Sequence, residues 1–179
     1  MAAPAAVAPP LRGRPLIVAT GIWAALLPLC ALHAKNPLHF LLLAGFSNVL
    51  VMLAVCDATT MLLPNRLTYP AALAAIALGW AWPAHSFGAT IAGGLAGYAI
   101  MFALFTLVPG FGAGDVKLCG LIGLLVGWPF VLYALTAGVL CNGLVVLAGL
   151  ASGKLRLRGA MPYGPGLIAG ALLIMLRAH

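Results

Sequence analysis

Seven apolar runs follow one another through this sequence, and they constrain its fold more than any other feature. Of the 179 residues, 64% are hydrophobic and only 6% are charged, whereas a soluble domain carries about 25% charged residues. Water cannot solvate a surface built from so few charges, so lipid must be the solvent. The runs occupy residues 15–33, 38–56, 69–84, 88–108, 117–127, 130–150 and 162–177.

The runs predict an all-α, polytopic membrane protein with six or seven transmembrane helices. The stretch 117–150 is too long for one crossing, and Gly127-Trp128-Pro129 supplies a break because proline lacks a backbone donor. The sequence does not decide whether the run 117–127 itself crosses the membrane. Residues 1–14, rich in Ala and Pro, are predicted to be a disordered cytosolic tail, and residues 15–179 a single membrane domain.

Glycines at four-residue spacing predict where two of these helices pack. Gly93 and Gly97 lie in one run, and Gly123 and Gly127 lie in another. Small residues at this spacing let helix backbones approach closely in lipid.

The basic residues fix the predicted orientation. If every run crosses, seven of the nine Lys and Arg side chains fall on one side of the membrane, and Lys35 and Arg177 fall on the other. Cytosolic loops carry the excess of basic residues, so the side with seven is cytosolic. The net charge of +7 is thereby explained by orientation in the membrane, and nucleic-acid binding is not expected. The protein is predicted to lie in the cytoplasmic (inner) membrane, with its N-terminus cytosolic.

The sequence contains no Glu and only two Asp, Asp57 and Asp115, and both fall at predicted cytosolic ends of spans. Acids near membrane depth are costly and are usually functional or paired. Two carboxylates about 3 Å apart share one proton, so one can act as a base and the other as an acid. Peptide hydrolysis needs both, a base for the water and an acid for the carbonyl oxygen. Alternatively, each Asp is an interfacial cap, and Asp115 at a helix start suits that role. The residues alone leave both interpretations open.

Other catalytic chemistry fits the sequence poorly. A zinc peptidase of the HExxH type needs a Glu. The histidines before the C-terminus are predicted to lie across the membrane from both aspartates, which disfavours a Ser-His-Asp triad. The four cysteines form no CxxC pair. We therefore expect no metal and no cofactor.

Three segments near the predicted cytosolic face carry a family resemblance. Asp57 precedes a Pro64-Asn65 turn, Gly112-Ala113-Gly114-Asp115 has the form GxGD, and Met161-Pro162-Tyr163-Gly164-Pro165 closes the series. In order and spacing they resemble the prepilin peptidases, which are type IV leader peptidases of the GxGD aspartyl membrane protease family, and most of all the small peptidases of tight-adherence (Flp) pilus systems. The resemblance covers residues 15–177.

The resemblance implies an aspartyl endopeptidase with Asp57 and Asp115 as its catalytic pair. It implies cleavage of the basic leader from type IV prepilins or pseudopilins at the cytosolic membrane face. Larger family members carry a cysteine-rich insert and also methylate the new N-terminus. No such insert is present in this sequence, so peptidase activity without N-methyltransferase activity is expected.

Four further residues are candidates for substrate binding. Gly112 and Gly114 allow the backbone to turn sharply and approach a substrate. Lys117 is either a cytosolic anchor or a contact for an acidic residue of the mature pilin. Asn65 shapes a turn or helps to place Asp57.

Two other functions remain as alternatives. One is a small transporter or channel subunit that uses the two aspartates as an ion relay. Such a protein is expected to carry its acids near mid-membrane, on broken helices. The other is a non-catalytic assembly subunit of a pilus or secretion machine.

Overall fold

The structure, a computed structural model, describes residues 13–108, 111–152 and 162–177. These residues form seven α-helices and a short 3-10 turn at Gly79–Ala81, and no strand occurs among them. The predicted all-α architecture is confirmed. The helices are α1 (Arg14–His33), α2 (Pro37–Thr60), α3 (Asn65–Ala77), α4 (Phe87–Leu107), α5 (Ala113–Val126), α6 (Phe130–Ala151) and α7 (Gly164–Arg177).

Four helices, α1, α2, α4 and α6, are long and apolar enough to cross a bilayer. The other three have 13 or 14 residues and are each about 20 Å long, shorter than a hydrocarbon core of about 30 Å. Seven helices occur among the described residues, and the prediction that six or seven of them cross the membrane stays a prediction. The chain is a multi-pass membrane protein in which long and short apolar helices pack together.

Helix α5 lies at the centre of the bundle. From Val116 to Val126 only Lys117 and Gly120 are not buried, and α3, α4, α6 and α7 all pack against it. A helix surrounded by protein on this scale is not required to match the thickness of the lipid, which accounts for its short length.

The ends of two helices differ from the predicted runs at the aspartates. Helix α2 does not stop at Cys56 but continues through Asp57 to Thr60, and Met61 ends it with a left-handed φ of 52°. Helix α5 begins at Ala113, so Asp115 lies inside its first turn. Both predicted ends were wrong because hydropathy follows apolar side chains, whereas a helix continues as long as its backbone hydrogen bonds can form.

The bounds predicted from the run 69–84 were also wrong. Helix α3 begins at Asn65, directly after Pro64, and ends at Ala77. Its first turn is polar and so lay outside the apolar run. Residues 1–12 of the predicted tail lie outside the described residues, and α1 begins at Arg14, the last residue assigned to that tail.

The predicted glycine packing is confirmed. Gly93 of α4 lies against the backbone of Gly123 and Gly127, and Gly97 lies against the carbonyl of Cys119. A side chain at Gly93, Gly97 or Gly123 would overlap the facing backbone. Helices α6 and α7 approach in the same way, with Gly138 against the backbone of Leu167 and Gly170 against Gly138.

Candidate active site

Asp57 lies in the last turn of α2 and faces the start of α7. Its side chain is 5% exposed. The backbone N–H of Gly164, 107 residues away in sequence, donates to Asp57 Oδ2 at 2.8 Å. A Cβ at Gly164 would lie 2.6 Å from the same oxygen, so only glycine allows the backbone to come this close.

Asp115 is the third residue of α5, and its side chain is 8% exposed. The backbone N–H of Gly112, the residue that caps the helix, donates to Asp115 Oδ2 at 3.0 Å. Asp115 therefore does stabilise the start of its own helix, although from the third position rather than as the N-cap itself. This local role uses one carboxylate oxygen, Oδ2.

Asp57 and Asp115 are linked through the start of α7, whose Gly164 N–H binds Asp57. Helix α7 packs against both α2 and α5. The residue before α7, Tyr163, places its ring 5.0 Å from that of Phe111, which belongs to the loop leading to Asp115. The segment Tyr163–Gly164 thus contacts the surroundings of both acids.

The two glycines predicted to bind substrate have observable structural roles. Gly112 donates to Asp115, as described above. Gly114 faces Leu63, whose Cβ and Cδ1 would lie 3.3 Å from a Cβ at Gly114. The loop after Asp57 is therefore packed against the first turn of α5, and Gly114 leaves room for that contact.

Lys117 and Asn65, predicted separately, contact each other. Lys117 Nζ donates to Asn65 Oδ1 at 3.0 Å and lies 5.2 Å from the centre of the Tyr69 ring. The pair joins the start of α3 to the start of α5. Lys117 also borders a largely apolar groove of about 290 Å³ between α3, α4 and α5, whose wall includes Tyr98 and Gly120.

Sequence reasoning missed Asn142. This residue of α6 donates from Nδ2 to the carbonyl oxygen of Tyr163 at 2.9 Å. The available signal was a carboxamide within an otherwise apolar span, since such a group generally needs a partner in lipid.

Comparison with known proteins identifies the family. The family model for type IV leader peptidases matches residues 44–147, a segment that includes both aspartates. The chain belongs to the type IV leader peptidase family. The resemblance drawn from the three sequence segments is confirmed at family level, and the narrower assignment to the tight-adherence type stays a prediction.

Several relatives of this peptidase-family chain are named prepilin leader peptidase/N-methyltransferase. One from Bacillus subtilis (strain 168) is 32% identical over 135 residues, 73% of this chain and 53% of the relative. One from Vibrio cholerae is 38% identical over 97 residues, 51% of this chain and 38% of the relative. One from Dichelobacter nodosus is 31% identical over 164 residues, 87% of this chain and 56% of the relative.

The chain spans about half the length of these curated relatives. No solved structure matches it.

Proposed function

We propose that this chain is an aspartyl endopeptidase that removes the leader peptide from type IV prepilins or pseudopilins. The observation that carries the proposal is that the start of α7 and the loop after α2 connect the surroundings of the only two side-chain carboxylates of the sequence. Both are buried in terminal turns, each accepts a backbone N–H, and the segment Tyr163–Gly164 contacts the surroundings of both. The family membership and the names of the relatives support the same activity.

The proposed chemistry divides two proton transfers between the two carboxyl groups. The ionised group accepts a proton from a water molecule as the water oxygen attacks the carbonyl carbon of the peptide. The protonated group donates its proton to the carbonyl oxygen, which gives a tetrahedral diol. When the C–N bond breaks, the group that took the proton from water gives it to the leaving nitrogen, and the other group takes a proton from one diol hydroxyl, which leaves a free carboxylic acid and a free amine.

We propose that cleavage occurs at the cytosolic face of the cytoplasmic membrane, with the N-terminus also cytosolic. The distribution of basic residues predicted if every apolar run crosses, seven on the side of the aspartates and two on the other, supports this orientation. Both acids lie in terminal turns of their helices. An ion relay is expected to need acids near mid-membrane, so the transporter alternative has less support.

We expect Lys117 to contribute to substrate affinity. Its ammonium group borders the α3–α4–α5 groove, where an acidic residue of a substrate helix entering from the bilayer could pair with it. Lys117→Gln should raise KM by about fivefold, the range of an exposed ion pair of roughly 1 kcal/mol, with little change in kcat. Kinetics of leader removal measure both constants. Lys35→Gln, at the predicted opposite face of the membrane, is the matched control. Equal KM values for the two variants would show that Lys117 does not contribute to substrate binding.

We further propose that the chain does not methylate its product. None of its four cysteines lies in a CxxC pair, and the resemblance associates methyl transfer with a cysteine-rich insert. The relatives carry both activities in their names. This proposal therefore assigns the chain only the first of the two activities.

One experiment tests cleavage and methylation together. The purified protein in detergent is incubated with a synthetic prepilin and S-adenosylmethionine, and the product is identified by its mass. The expected product lacks the leader and has an unmodified N-terminus. An intact substrate after full incubation would contradict the peptidase, and a product heavier by one methyl group would contradict the absence of methyl transfer.

A further inference from the structure

Helix α6 carries a carboxamide side chain, that of Asn142, within an apolar sequence. This helix is one of the four apolar helices long enough to span the membrane, and Asn142 is half-buried within it. A polar side chain in lipid generally faces the bundle and finds a partner there. The partner of Asn142 is the carbonyl oxygen of Tyr163, at 2.9 Å from Nδ2.

The carbonyl that Asn142 binds and the N–H that Asp57 binds belong to the same peptide group. Tyr163 supplies the C=O and Gly164 the N–H of the bond between them, and the N–H donates to Asp57 Oδ2 at 2.8 Å. A peptide group is planar and rigid. Fixing the direction of its carbonyl therefore fixes the direction of its N–H.

The two hydrogen bonds also reinforce each other. A donor on the carbonyl oxygen withdraws charge through the peptide group and makes the N–H a better donor, an effect that is stronger where water is excluded. Asn142 thus acts on Asp57 through one peptide group, without touching Asp57 itself.

The surroundings are shaped to accept the carboxamide. Gly166, in the first turn of α7, lies against the side-chain amide of Asn142, and any Cβ at that position would overlap it. Close packing of Gly138 against the backbone of Leu167 holds the two helices at this separation. The carboxamide therefore occupies a defined space between α6 and α7.

We propose that Asn142 is a positioning residue for Asp57, acting through the Tyr163–Gly164 peptide. The inference rests on the proposed function, because the reaction that this positioning serves is peptide cleavage. Asn142 orients the N–H that holds one carboxylate oxygen, and so keeps the carboxyl group aimed at the water and the substrate. Substrate affinity does not depend on it.

Three variants test the proposal by kinetics. Asn142→Leu is similar in size but has no donor, and it should lower kcat by about 10- to 100-fold, the cost of a misplaced catalytic group, while KM stays close to that of the unaltered protein. Asn142→Gln keeps a donor and should recover part of the loss. Thr136→Val, in the same helix, removes a hydroxyl that donates within α6 to the carbonyl of Leu132, and should leave both constants unchanged.

Several outcomes would overturn the proposal. Asn142→Leu with unaltered kcat would contradict it, as would a loss confined to KM. A Gln variant no better than the Leu variant would contradict a role for the hydrogen bond that the carboxamide donates.

Amide hydrogen exchange gives a readout that needs no substrate. In the unaltered protein the Gly164 amide should exchange slowly, and in Asn142→Leu it should exchange about tenfold faster or more, while core amides of α2 such as Leu50 and Leu53 keep their rates. An unchanged Gly164 rate would contradict the positioning role. If the unaltered protein cleaves no prepilin, the proposed function fails, yet the exchange result still decides whether Asn142 orders this peptide.

Discussion

Asp57→Asn and Asp115→Asn should each lower the rate of leader removal by about 10²- to 10⁴-fold, the usual contribution of general acid–base catalysis. A carboxamide has nearly the size of a carboxyl group, but it neither accepts a proton from water nor donates one to a carbonyl oxygen. The initial rate of cleavage of a synthetic prepilin measures the effect.

The structure indicates that both Asn variants should fold. A carboxamide oxygen at position 57 can still accept the N–H of Gly164, and one at position 115 can still accept the N–H of Gly112. The sequence offers no third acid as a control. Thr60→Val serves instead, because its hydroxyl donates within α2 to the carbonyl of Cys56. If either Asn variant cleaves at the rate of Thr60→Val, that aspartate is not catalytic.

Gly164→Ala should lower kcat by about 100-fold. The added Cβ would lie 2.6 Å from Asp57 Oδ2 and 2.9 Å from Asp57 Cγ, closer than atoms of this kind approach. Either Asp57 must turn away or the start of α7 must shift, and each response breaks the hydrogen bond from the Gly164 N–H. Kinetics of leader removal measure the loss.

The Gly164→Ala effect is separable from helix stability. Alanine is a better helix former than glycine by about 1 kcal/mol, so α7 itself is not weakened. Gly143→Ala is the matched control, since no atom lies within 4 Å of a Cβ at this position of α6. Equal rates for the two alanine variants would show that the contact between Gly164 and Asp57 has no part in catalysis.

The helices could be predicted from the sequence because burial in lipid requires long apolar runs, but their ends could not. At the end of α2, the hydroxyls of Thr59 and Thr60 donate to backbone carbonyls of the preceding turn. Because these hydroxyls find partners within the helix itself, polar residues can lie in α2 beyond the end of the apolar pattern. At α3, Pro64 sets the start, and the apolar pattern begins only after the first turn.

The two acids of the site could also be predicted, because acids are rare in such a chain and each lay near the end of an apolar run. Their hydrogen-bond partners could not. The donor to Asp57 belongs to a residue 107 positions away, and its approach depends on how α7 packs between α2 and α5. The contact of Asn142 with Tyr163 depends likewise on how α6 and α7 pack.

A structure of the Asp115→Asn variant with an uncleaved prepilin bound is the most direct measurement of the central claim. The two side chains at positions 57 and 115 should both lie within about 3 Å of the scissile carbonyl or of one water beside it. A complex in which the scissile peptide contacts only one of these side chains, or neither, would contradict catalysis by the pair.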